Sequence, residues 1–518
     1  MKKTATFLLL CTVSALLTAQ PSIPHSKADD TNHVMSAAYW KQWDAKTQAD
    51  IDADIERYRK ADATVEIPGL KKGTTVHVQQ TRHAFYFGAH IFNWNQLGSS
   101  EANARYKELY GTLFNSATVA FYWKTFEDRP GRLRFREEYW DTEEYWNGLE
   151  DPKHQFHWRR PAPDPIVDYL ISRGVRVHGH TIIWGNRKWQ HPDWMEDALL
   201  QGHERDVMDR LLTEQATLEN YKDGDRFSNE YDMMSGQALS DSLPEFAAAL
   251  TKAFEQRIEQ LAAHYGDRIP SWDVVNESTA DYAIGMFRNP TPLGKSTYGI
   301  MPGNYVEDAM RTADRCFPKS VRININDWWS GIEYSNFTKE LLAKGCRIDV
   351  LGSQMHLFDP KQCLDLAEGE TKGLPTPESV KARMAIHSEA GLPIHLSEIT
   401  ITAPSTDERG QMIQAILTRN LYRLWFSVPL MEGITWWNVV DDCGAPGEPC
   451  TSGLFNRDMT PKPAYYALEE LINKEWKTDM DVTVTRDGIV SFRGFKGDYL
   501  VTWTDKRGNT HSQECHVE

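Results

Sequence analysis

Cysteine is scarce in this chain, seven in 518 residues, and no CxxC pair or Cys/His cluster has zinc-ligand spacing. That argues against a zinc ribbon or a dithiol redox centre, and nothing calls for a metal or an organic cofactor. No lysine- or arginine-rich run is long enough to track a phosphate backbone. Acidic residues outnumber basic ones 73 to 57, for a net charge of −16. Nucleic acid and an anionic membrane surface are therefore poor partners. Long apolar runs are missing too, apart from Ala5 to Leu17 behind Lys2 and Lys3, which is too short to span a bilayer. This pattern predicts a signal peptide over residues 1–19, ending at Ala19 or as late as Ala28, and a secreted or periplasmic mature protein off the membrane. An uncleaved anchor is the alternative. Export permits disulfides, and Cys443 and Cys450, which bracket a Gly/Pro-rich loop, are the expected pair.

What is present is ample apolar material for a core, at 41% hydrophobic residues, and 18 tryptophans that serve either packing or stacking on sugar faces. Between residues 81 and 475 short apolar runs alternate with amphipathic stretches, the pattern of a parallel α/β fold. The expected strands are His83–Ile91, Ala117–Trp123, Val175–Trp184, Ser271–Asn276, Val321–Asn326, Val350–His356, Pro393–Ile399 and Gly433–Val440. Eight such βα units predict a (β/α)8 TIM barrel with long rim insertions; a doubly wound sheet is the competing arrangement. Polar side chains gather at the C-terminal ends of these strands: His180 and Trp184, Asn276 and Glu277, Asn326 and Asp327, Gln354 and His356, Glu398, and Trp437. In a barrel that end carries the chemistry.

Glu277 and Glu398 each close an apolar strand, Trp272-Asp273-Val274-Val275-Asn276 and His395-Leu396-Ser397. A carboxylate in such a place is costly unless it is paired or used. Two of them are what a glycosidase requires, one to protonate the leaving group and one to attack or to activate water.

Seven segments then carry a family resemblance, in order along the chain. They are His178–Trp184, Trp272–Glu277, Ile325-Asn326-Asp327, Gly352–Leu357, Leu396–Ile399, Thr435-Trp436-Trp437, and Gly453 to Tyr465. Together they resemble glycoside hydrolase family 10, the endo-β-1,4-xylanases. The resemblance implies Glu277 as acid/base and Glu398 as nucleophile of a retaining mechanism on xylan. It implies supporting roles for Asn276, His356 and Gln354, and substrate contacts from Lys124, His180, Trp184 and Trp437. It also implies a polysaccharide partner.

Departures from the family pattern bear on specificity. Ala120 and Phe121 stand where the family carries a Glu-Asn pair that grips the sugar in subsite −2, and only Lys124 of that group remains. Glu398 is followed by Ile399-Thr400 in place of Leu-Asp, and the aromatic expected after Trp437 gives way to Asp441-Asp442-Cys443. Another β-glycan, or a decorated xylan, is therefore the rival substrate. A glycan-binding protein on a retired barrel is the rival of another class. Rim insertions follow the second strand (138–163, with Tyr139, Trp140, Tyr145, Trp146 and Trp158) and Glu277 (278–302). Their aromatics form either a sugar-stacking wall or the small core a long loop needs. The flanks, an N-terminal helix and β segment over 30–80 and a β segment over 476–518, read as alternating strands that pair into a small β-sandwich. Phe492, Phe495, Tyr499 and Trp503 there either bind carbohydrate or pack on the barrel.

Overall fold

The computed structural model describes residues 20–219 and 233–518, with no side-chain description for 212–219. The expected signal peptide and most of the polar stretch at 220–244 lie outside the described residues. Among those described, no helix is long and apolar enough to cross a membrane.

The strands are β1 (Lys60–Glu66), β2 (Thr75–His83), β3 (Tyr86–His90), β4 (Ser116–Ala120), β5 (Arg176–Trp184), β6 (Ser271–Asn276), β7 (Leu293–Ser296) and β8 (Gly299–Pro302). They continue as β9 (Arg322–Asp327), β10 (Val350–Leu357), β11 (Ile394–Ile401), β12 (Met431–Trp436), β13 (Asp479–Thr483), β14 (Ile489–Phe495), β15 (Gly497–Thr504) and β16 (Thr510–Val517). Eight of them, β3 to β6 and β9 to β12, close into one barrel, each parallel to its neighbours. Closure rules out the open doubly wound sheet. Every residue of β4, β6 and β11 is buried, as expected where helices cover the outside and side chains fill the lumen. Gly179 in β5 leaves room for Trp272 on the outer, helix-covered side, because a Cβ there would lie 2.2 Å from the Trp272 ring.

Several expected strands overrun the observed ones. The second ends at Ala120, because Phe121 packs against Trp272 at 4.6 Å between centroids and a short helix, Trp123–Phe126, begins at once. The last ends at Trp436, whose indole donates to the carbonyls of Asn438 and Ser452 and turns the chain into the loop that follows. His83 closes β2 rather than opening the first barrel strand.

The two flanks do build one β element. β13, β2, β15 and β16 form a four-stranded sheet, and β1 pairs with β14 in a second. Val65, Val76, Val78, Val490, Phe492, Tyr499 and Val501 make a shared apolar core. The element meets the barrel at the N-terminal end of its strands. There Phe495 and His83 join Phe85, Phe87, Phe426 and Trp476 in an aromatic cluster. The Arg59 guanidinium seals the junction by donating to the carbonyls of Phe426, Val428 and Met431. Phe492, Phe495 and Tyr499 are thus buried packing residues, and Trp503 stacks on His511. Helix Ala45–Arg59 lies instead along helix Glu408–Ser427, where Arg423 pairs with Asp52, and helix Ala37–Gln42 packs by helix Pro360–Glu368 and reaches Asn420 through the Tyr39 hydroxyl, which accepts from it.

The expected Cys443–Cys450 disulfide is corrected: both thiols are free, as are the other four described cysteines. The Cys443 side chain is buried in the barrel core while Cys450 is exposed, so the two face different surroundings.

Candidate active site

The C-terminal ends of the barrel strands open into a cleft of about 910 Å³. Glu277, Glu398, Asn276, Gln354, His356, His180, Trp184 and Trp437 all line it. Lys124 does not: on the helix that follows β4, its Nζ meets the Asp193 carboxylate at 2.5 Å.

Glu277 is the first residue past β6 and has φ +54°, a left-handed backbone that swings its side chain out of the sheet and costs about 1 kcal/mol or more. Its backbone N–H is kept by the Asn326 carbonyl at 2.8 Å. Gln354 Nε2 donates to one carboxylate oxygen and the Tyr298 hydroxyl to the other, each at 3.1 Å. Burial, and then the negative charge of Glu398, push this carboxyl up to about 7.

Glu398 sits inside β11, beside a register shift between β10 and β11 at Ser353/Gln354 that leaves Ser397 unpaired. Bulges at a barrel rim re-aim side chains in this way. The freed Ser397 hydroxyl donates to Asn326 Oδ1 at 2.5 Å, which turns the Asn326 amide N–H groups toward Glu398 Oε1 (2.8 Å) and Asn276 Oδ1 (2.9 Å). His356 Nε2 stands 3.3 Å from the other Glu398 oxygen, and its Nδ1 is held by Thr400 Oγ1 at 2.9 Å. His180 lies between Asp273, at 2.9 Å from Nδ1, and Glu398, at 3.8 Å from Nε2. Burial alone would lower the His180 ring, but the hydrogen bond to Asp273 and the charges of Glu398, Asp273 and Glu277 outweigh it and raise it. Asp273 itself is buried, yet His178 and His180 hold it well below the usual carboxylate range. The two glutamates therefore occupy unlike settings: burial and a neighbouring carboxylate raise Glu277, while Glu398 is held among Asn326, His356 and His180.

Several lining or supporting residues were not picked out from sequence, or, like Asn326, were noted at a strand end without a role. Tyr298 comes from the insertion after Glu277, on the turn of the β7–β8 hairpin. Asp273 and Asn326 were visible as polar residues within apolar strands, but their partners lie on other strands. Arg159 and Arg160 end the insertion at 138–163 and reach the cleft, as does Glu448 from the loop after β12. Arg159 donates to Glu448 at 2.6 Å and to His90 Nε2 at 2.8 Å. Glu448 also accepts from Trp437 Nε1, so this half-buried pair stands in the region of the missing second aromatic. The insertion's own aromatics do not line the cleft. Trp146 and Trp158 are buried and join the main apolar core, Trp140 stacks on His157, and Tyr139 is 62% exposed.

No group in the cleft has the make-up of a metal centre among the described residues. His25, Glu470 and Glu475, elsewhere, bring three ligand-type atoms within 4.8 Å of one another. Arg419 already donates to Glu475 at 2.7 Å and to His25 at 3.3 Å, which puts a cation in their midst.

The profile of glycosyl hydrolase family 10 matches residues 79–471. The chain belongs to that family. It is a glycoside hydrolase built on the family's barrel. Endo-1,4-beta-xylanase B of Thermotoga neapolitana is 24% identical over 345 residues, covering 64% of this chain and 79% of that protein. Exoglucanase XynX of Acetivibrio thermocellus is also 24% identical, over 317 residues covering 59% of this chain; the match takes in only 24% of that longer protein. The crystal structure of xylanase B from Clostridium stercorarium F9 superposes with a TM-score of 0.50 at 20% identity, covering 74% of this chain and 96% of the other, and shares the fold. The family profile spans both glutamate-bearing strand ends and the insertion that ends in Arg159 and Arg160.

Proposed function

We propose that this chain is a secreted, retaining endo-β-1,4-xylanase that works by double displacement. The observation that carries this is the unlike pair of carboxyl groups facing one cleft. Glu277, raised to about 7, holds a proton for the glycosidic oxygen and later takes one from water. Glu398, supported by Asn326 Nδ2 and flanked by His180 and His356, attacks the anomeric carbon and forms the glycosyl-enzyme. Asn276 meets the sugar 2-hydroxyl, where hydrogen bonding strengthens in the transition state. Gln354 orients Glu277, and Trp184, His180 and Trp437 wall the −1 sugar. The xylanase names among the relatives support xylan as substrate. Lys124, tied to Asp193, has no part in this reading.

Product release from xylan by wild type beside Glu398→Ala tests it. Xylo-oligosaccharides from the wild type alone, and a 2-fluoro-xyloside trapped covalently on Glu398, are expected. A decorated xylan or other β-glycan is the second reading, favoured by Ala120 and Phe121, neither of which offers a polar group where related enzymes grip the −2 sugar. A non-catalytic glycan binder would show binding without any product.

A further inference from the structure

The cleft holds a cation that has no ion-pair partner among the described residues. The Arg160 guanidinium lies over the face of Tyr122, 3.6 Å from the ring centroid, and donates from Nη1 to the Arg159 carbonyl at 2.8 Å. Among the described residues no carboxylate forms an ion pair with it. Its neighbour Arg159 is different, because Glu448 answers its charge at 2.6 Å. Glu448 in turn is spent: besides Arg159 it accepts from Asn438, Trp437 and the Ala445 N–H. Arg383, the other cleft guanidinium without a carboxylate, directs Nη2 at the Trp328 and Gln354 carbonyls and the Ser353 hydroxyl, and so braces two loops.

Arg160 has no such duty. One face is covered by an aromatic ring, and the fork carries further donors that no described residue takes up. Arg160 is half-buried at the cleft wall, and its partial desolvation lowers the guanidinium to about 10. In a chain of net charge −16, an unanswered cation in the substrate cleft is a local exception. Tyr122, on which it rests, directly follows Ala120 and Phe121, the positions stripped of their sugar-gripping polar groups.

We infer that Arg160 binds the carboxylate of an acidic sugar, so that the favoured substrate is a glycan bearing uronic acid groups. A planar guanidinium pairs with a carboxylate through parallel N–H···O bonds, and stacking on Tyr122 pre-orients the fork. A neutral sugar that covers the half-buried fork takes its water away without offering a charge in return, which is how a site of this kind discriminates between otherwise similar ligands. The inference rests on the glycosidase reading above and narrows its substrate.

The test compares glucuronic-acid-substituted xylo-oligosaccharides with the same oligosaccharides after reduction of the carboxyl to an alcohol, which removes the charge alone. Wild type is expected to show kcat/KM about 10- to 100-fold higher on the acidic form. Arg160→Gln is expected to lose that ratio and Arg160→Lys to keep part of it, with thermal midpoints confirming that both fold. Wild type that cleaves both forms equally, or an Arg160→Gln protein that keeps the acidic preference, overturns the inference and leaves the xylanase reading standing. Wild type that cleaves neither form sinks the xylan reading instead. The inference is then decided by free D-glucuronate against D-glucose in saturation-transfer NMR. Glucuronate binding that Arg160→Gln abolishes sustains it, and absent or unaltered binding overturns it.

Discussion

Tyr298 and Glu277 show how single side chains tune the cleft. A hydrogen bond donated to a carboxylate favours its charged form, so the Tyr298 hydroxyl holds the Glu277 carboxyl lower than burial alone would. The acid works protonated, and activity falls as pH rises through about 7. Tyr298→Phe should move that alkaline limb upward by some tenths to about one pH unit, read from kcat/KM profiles on an aryl xyloside. An unmoved limb would show that the hydroxyl does not act on the acid. Stability carries the same signature. Because the folded-state value is raised above the usual 4.5, Glu277 takes up a proton more readily in the folded chain, and its charge costs stability progressively from about pH 4.5 to 7. Glu277→Gln should therefore unfold near the wild-type midpoint at pH 4, yet be more stable at pH 8 by at most about 3 kcal/mol. Thermal melts at the two pH values check this independently of activity.

At the level of elements, the β7–β8 hairpin presents Tyr298, and one buried carboxylate secures its turn. Asp281 accepts from the Ser296 hydroxyl at 2.6 Å, the Thr297 N–H at 2.6 Å and the Tyr305 hydroxyl at 2.9 Å. Asp281→Ala would leave these buried donors unpaired and is expected to cost about 2–4 kcal/mol. It should also shift the alkaline limb in the direction of Tyr298→Phe, because the loosened turn no longer delivers the hydroxyl. A destabilised variant with an unmoved limb would separate the hairpin from the acid. The insertion at 138–163 works by the same logic. Its tryptophans and the buried Arg134–Asp141 pair make it rigid, and that rigidity holds Arg159 and Arg160 at the cleft.

For the whole molecule, the division of ends matters. The β element from both chain termini closes the N-terminal end of the barrel, opposite the cleft, through the Phe495, Phe426 and Trp476 cluster. Phe495→Ala should cost about 3–5 kcal/mol by cavity formation, seen in denaturant unfolding, and leave KM for xylo-oligosaccharides unchanged. A raised KM with little loss of stability would instead give the element a part in glycan binding.

The eight strands, their parallel order and the two strand-end glutamates were legible along the chain, because apolar periodicity and βα spacing are local properties of a sequence. Family motifs likewise named His180, His356 and Gln354 from short segments. The second strand was read too long because Phe121 is apolar whether it faces the lumen or packs outside against Trp272. Closure of the barrel, the free state of Cys443 and Cys450, and the loss of Lys124 to Asp193 depend on distances no local pattern encodes. Arg159 and Glu448 are 289 positions apart, and Gln354 and Glu277 are 77 apart. A sequence determines which residues must be buried and where strands end. Only the closed ring of strands decides which charge each buried carboxylate meets, and hence which keeps its proton and which cation is left free for a ligand.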